Sequence, residues 1–190
     1  MNRKTVFIIV LCASVALGAL DFISNGYFDK LNLKASVQEL NENENIYLRM
    51  VKNADQEIEL KSQSETQTIF NKINTSKTDF IKKTTEFLFT KNNVNYFRLY
   101  TFEFNSGQNQ VNYLKIKNIF GELNETHPNI SINEVNNYGA GSFYVNDTKD
   151  EDMARLMVLT PESVLGIEYS KTINRESVEP LLSILTSTNN

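Results

Sequence analysis

Residues 86–104 read EFLFTKNNVNYFRLYTFEF, and this stretch restricts the fold more than any other. Asn92-Asn93 sits between two runs rich in aromatic and β-branched residues. Paired Asn tolerates the positive φ angles of a two-residue hairpin turn, so Glu86–Lys91 and Val94–Phe104 are expected to pair antiparallel. On the second strand Tyr96, Arg98, Tyr100, Phe102 and Phe104 should point one way, and Phe97, Leu99, Thr101 and Glu103 the other. So much aromatic area has to be buried, and the stripe is read as core rather than as an exposed stacking platform.

The elements that follow agree with a sheet built from short connections. Asn105 and Ser106 can cap a helix running to about Leu123, whose Tyr113, Ile116, Phe120 and Leu123 share one face. Short strands are expected near Ile130–Val135 and Ser142–Val145. The strands Ala154–Leu159 and Val164–Ser170 are joined through Thr160-Pro161-Glu162-Ser163. A final helix is expected from Ser177, because Pro180 fits a first turn and Val178, Leu181, Leu182 and Leu185 keep the i, i+3, i+4, i+7 spacing. The expected class is α+β: an antiparallel sheet with helices packed on one face, preceded by an N-terminal helical segment.

That N-terminal segment has two readings. Leu33, Val37, Leu40, Glu44, Tyr47, Val51, Ala54 and Ile58 keep one face of a helix over 30–60. The NENEN run at 41–45 could instead divide it, leaving Ile46–Val51 and Glu57–Lys61 as a hairpin. Residues 62–78 suggest a short helix around Ile69 and Ile73, or a linker. The expected division is thus 1–18 as leader, 19–78 as a mainly helical segment, and 79–190 as the α+β domain.

Residues 1–20, MNRKTVFIIVLCASVALGAL, have the pattern of a secretory signal. Arg3 and Lys4 precede an apolar run from Val6 to Leu20, which as a helix spans roughly 22 Å, short of a bilayer core. Ala16-Leu17-Gly18 places small residues for cleavage before Ala19. An uncleaved N-terminal anchor is the rival reading, and a lipid site at Cys12 is a weaker one because Leu11 stands where a small residue is wanted. Each version puts the bulk of the chain outside the cytoplasm, in the periplasm, cell envelope or medium.

Composition then narrows the chemistry. The chain has one Cys and one His, so disulfide frameworks and Cys/His zinc sites are not expected. Acids outnumber bases, 23 to 19, which is the wrong balance for a nucleic-acid binder. The sequons at Asn74, Asn124, Asn129 and Asn146 are no more than 25 asparagines produce by chance. His127, in the polar loop Glu125-Thr126-His127-Pro128, has no G-x-S-x-G elbow to serve. The loop Asn146–Asp152 offers oxygen ligands, but Glu151 and Met157 stand where a calcium loop needs Gly and a bidentate Glu. Gly139-Ala140-Gly141 lacks the third glycine and the following helix of a dinucleotide fingerprint, and reads as a turn needing positive φ.

No catalytic residue, cofactor site or metal site is therefore expected. Residues 71–100 carry six bases against two acids, and residues 121–152 seven acids against one base. An interaction surface is expected around Lys82, Lys83, Lys91, Arg98, Tyr96 and Tyr100. These features together suggest an exported, non-enzymatic envelope protein that binds a protein partner or ligand. A membrane-anchored domain of a larger assembly and a hydrolase using carboxylates or His127 are the alternatives.

Overall fold

The computed structural model describes residues 42–173 and 175–187. The elements run α1 (Glu42–Ala54), β1 (Ile58–Thr66), β2 (Thr68–Ile69), β3 (Ile73–Asn74), a 3-10 turn (Thr75–Lys77), β4 (Ile81–Lys91), β5 (Val94–Phe104), α2 (Asn109–Thr126), β6 (Ile130–Glu134), β7 (Gly141–Asp147), β8 (Met153–Leu159), β9 (Val164–Ser170) and α3 (Arg175–Thr186). The expected leader, residues 1–18, and residues 19–41 lie outside the described residues.

One seven-stranded sheet has the order β1-β4-β5-β9-β8-β7-β6, with every neighbouring pair antiparallel. The hairpin β4–β5 turns at Asn92 and Asn93, with φ of 53° and 62°. Both central residues are left-handed, as the primed turn of a two-residue hairpin requires. The strands β6 to β9 form a meander, and β9 closes the sheet by pairing with β5, Tyr100 opposite Gly166.

The α+β class with an antiparallel sheet stands. The helices differ from expectation in one respect: they cover both faces of the sheet instead of one. Alternate residues of the central strands point into two separate cores. Phe87, Phe89, Leu99, Leu156, Val158, Leu165 and Ile167 lie on one side with Val51 of α1 and Val178, Leu181, Leu182 and Leu185 of α3. Tyr100, Met157, Leu159 and Val164 lie on the other with Tyr113, Ile116 and Phe120 of α2 and the hairpin residues Ile69, Phe70 and Ile73. The physical reason is that β8 and β9 are apolar at odd and even positions alike, so neither face can be left to water.

The N-terminal half also departs from the expected division. The helix ends at Ala54 and the sheet begins at Ile58, so residues 58–66 form an edge strand within the α+β unit rather than part of a helical segment. The seam positions Tyr47, Val51 and Ala54 do face the core. Ile69 and Ile73, spaced four apart, pair across the small β2–β3 hairpin instead of stacking on a helix. The last helix starts at Arg175, two residues before Ser177, which puts Pro180 beyond the first turn; its ring is exposed, so the missing bond lies on the solvent side.

Tyr96 breaks the expected alternation. Phe89 pairs with Phe97 and Thr90 with Asn95, which leaves Tyr96 as the extra residue of a β-bulge. The bulge turns it onto the α3 face, where its hydroxyl donates to the Ser177 carbonyl at 3.3 Å.

Candidate functional site

The sheet face under α2 carries a chain of charges across its strands. Glu168 on β9 accepts from Arg155 Nε on β8 at 2.8 Å and from Arg98 Nη1 on β5 at 2.6 Å. Arg98 Nε also lies 3.4 Å from Glu86 on β4. At the other end Arg155 Nη2 donates to Asp150 in the β7–β8 turn. Arg155 and Glu168 are each 3% exposed, and the remaining guanidinium nitrogen, Arg155 Nη1, is buried with no partner among the described residues. Burial of such a pair costs least when its other donors and acceptors are met: both Glu168 oxygens are bonded, and Arg155 leaves Nη1 alone unmet among the described residues. Tyr100 shares this face, and burial with the carboxylates of Glu168 and Glu86 pushes its phenol well above the usual range.

Asp150 also lines a cleft of about 350 Å³. Four pieces of chain meet there: the β2–β3 turn (Asn71, Lys72), the end of α2 (Leu123, His127), the start of β6 (Asn129, Ile130) and the β7–β8 turn (Asp147, Lys149, Asp150). Asp147 is its best-satisfied group. It takes the Lys72 ammonium, the Asn129 side-chain amide at 2.8 Å and the Lys149 backbone N–H at 2.9 Å. The hydrogen bond from Lys72, ahead of Asn129, holds its carboxyl far below the usual carboxylate range. The Lys149 ammonium has no partner among the described residues and is exposed. His127 caps α2 through its backbone N–H, and its Nδ1 lies 2.9 Å from the Thr126 hydroxyl.

This arrangement bears on each expected site. In the loop Asn146–Asp152, Asp147 and Asp150 are already held by an ammonium and a guanidinium, so a cation would have to displace them. No cluster of three or more His, Cys, Asp or Glu among the described residues is arranged to hold a metal. Gly139 does take a positive φ of 59° in a turn against β8.

The expected interaction surface is not brought together. Tyr100 is buried in the α2-side core, Arg98 is half-buried and paired with Glu86 and Glu168, and Tyr96 faces α3. Lys82 pairs with Glu103, Lys83 with Glu65, and Lys91 with Asp55 and Glu57. The bond from Lys91 lowers the Asp55 carboxyl, and in turn raises the Lys91 ammonium. Lys72 of the basic stretch and Asp147 of the acidic one are paired directly.

The charged ladder is absent from the sequence-based expectations, yet the sequence carries a signal for it. Counting outward from the turn at 160–163, with Leu159 opposite Val164, places Arg155 opposite Glu168. A base and an acid facing each other inside two otherwise apolar strands mark a buried pair. No family model, no curated protein and no solved structure matches this chain.

Proposed function

We propose that this chain is an exported, non-enzymatic protein of the cell envelope that binds a ligand or partner at the cleft between the β2–β3 turn, α2 and the β7–β8 turn. The export reading rests on the secretory pattern of residues 1–20. The binding reading is carried by one observation: the cleft's carboxylates are each locked by a neighbouring cation, so its polar groups are fixed before anything arrives. Preorganised groups of this kind lower the ordering cost of binding. Lys149 and His127 are the groups left to meet a ligand. The Nδ1 of His127 faces only its neighbour's hydroxyl, which favours a polar contact over base catalysis.

Native mass spectrometry of the full chain purified from its host's envelope fraction tests both parts. A bound mass that disappears in a Lys149→Glu, His127→Ala variant supports binding at the cleft. An unliganded chain, or a chain found only in the cytoplasm, overturns the reading. Intact mass separates the two exported forms, since a start at Ala19 excludes the anchored one.

A further inference from the structure

The β2–β3 hairpin is built around a residue in an unfavourable backbone conformation. Phe70 has a φ of 52° and Asn71 a φ of 55°, and the Lys72 N–H donates to the Ile69 carbonyl at 2.9 Å, closing a turn with both central residues left-handed. Asn adopts that region readily; a bulky aromatic does not, and holds it only where its surroundings impose it. Here the reward is burial. The Phe70 side chain is wholly enclosed, edge-on to Tyr100 at 5.2 Å and beside Phe120 at 6.2 Å.

Its floor is Gly166, on the central strand. A Cβ at that position would lie 3.2 Å from the tip of the Phe70 ring, so the glycine leaves room for an aromatic group. Ile69 and Ile73 are buried beside Phe70, so the hairpin is held to the sheet chiefly by apolar contact. Its two strands form a sheet of their own, and its loop backbone bonds, Lys72 to Ile69, Thr75 to Gln67 and Thr78 to Thr75, are all internal. Among the described residues, its polar side-chain ties to the main sheet are Lys72 to Asp147 and, at its base, Thr68 to Thr66 of β1. The residues following Phe70 in the turn, Asn71 and Lys72, line the polar cleft.

We infer that Phe70 is a built-in plug: it fills from the protein's own chain a compartment for an apolar, aromatic-sized group, and residues 67–78 form a strap that swings out to admit one. The compartment's floor and walls are Gly166, Tyr100, Met157 and Phe120. Its ligand is a small amphipathic molecule with an aromatic or branched apolar end and a polar end that reaches Lys149 and His127 in the cleft. This inference rests on the proposed use of the cleft for binding and adds the ligand's chemical class.

Hydrogen exchange on the full chain tests the strap without any ligand. The amides of Lys72, Thr75 and Thr78 should be at least about tenfold less protected than those of β5 and β9, and less still in Asp147→Asn. Exchange of the strap only with the whole sheet overturns the proposal. Indole tests the compartment: Phe70→Ala should bind it saturably and at least about tenfold more tightly than the wild type, where the plug competes. If Phe70→Ala does not fold, Phe70→Leu, with part of the ring volume vacant, carries the same comparison. Absence of indole binding to the folded variant overturns the compartment. A cleft ligand that binds with no change in strap exchange sinks the plug and leaves the cleft reading intact; a chain that binds nothing from the envelope sinks that reading while the exchange result stands.

Discussion

Glu168 and Arg155 face each other across the β8–β9 pair at 2.8 Å, and both are almost completely removed from water. Substituting Glu168→Gln leaves two guanidinium groups with a neutral partner, one of them deep in the sheet. Asp150 and Glu86 stay as their anionic partners, so the expected loss is about 1.5–3 kcal/mol of folding stability. The double variant Arg155→Met, Glu168→Gln should lose less than the sum of the two single changes, because the two side chains share one interaction. Urea unfolding of the four proteins measures both quantities.

Gly139 has a φ of 59°, and a Cβ there would stand 2.3 Å from the Leu159 carbonyl oxygen. That oxygen also accepts the Ala140 N–H at 2.7 Å, so it has no freedom to retreat. Gly139→Ala should therefore cost more than the ~1 kcal/mol of an ordinary left-handed alanine. A fall in the thermal midpoint of several degrees is the expected outcome in calorimetry.

The Asn92-Asn93 turn predicts opposite responses to two changes at one position. Asn93→Gly should match or slightly raise stability, since glycine takes φ of 62° without penalty. Asn93→Val should lower it by about 1–2 kcal/mol, the cost of a left-handed branched residue. Equal effects from the two would contradict the turn geometry.

Asp147 gives the acid side of the stability profile a specific origin. Its carboxyl is depressed chiefly by the Lys72 hydrogen bond, so its contribution is complete above the ordinary carboxylate value near 4. Below that pH the unfolded chain takes up a proton that the folded one refuses, and the contribution falls away. Asp147→Asn should lower stability at neutral pH by about 1–3 kcal/mol and flatten the decline between pH 4 and 2. Denaturant midpoints across that range check the slope.

Tyr113 acts at the alkaline end. Burial, aided by Glu134, pushes its phenol up to about 12. Its contribution is intact below the ordinary phenol value near 10 and lost as the pH climbs toward 12. In a spectrophotometric titration Tyr113→Phe should leave the phenolate signal below pH 11 unchanged and remove part of the signal above it.

Local patterns in the sequence carry the elements from β4 onward but neither β1 to β3 nor the layering. The turn at Asn92-Asn93, the α2 face of Tyr113, Ile116 and Phe120, and the bounds of β9 follow from period and turn chemistry alone. Which side of the sheet a helix covers depends on strand order, and nothing local to β5 announces β9 as its neighbour. Simple alternation puts Tyr96 on the wrong face because a bulge resets the period from outside the strand, through its partner. The cleft is the extreme case. Its groups come from residues 71 to 150, and only the completed sheet brings Lys72 to Asp147.

The position of β9 also sets the order in which the chain can become stable. It is the last strand, yet it joins β1-β4-β5 on one side to β8-β7-β6 on the other. Until it is made, neither half has its central neighbour, and the leucines of α3 have no complete floor to cover. Stability that depends on pairing so distant in sequence has to wait for β9, and the two flanking groups of strands gain their shared neighbour in one step.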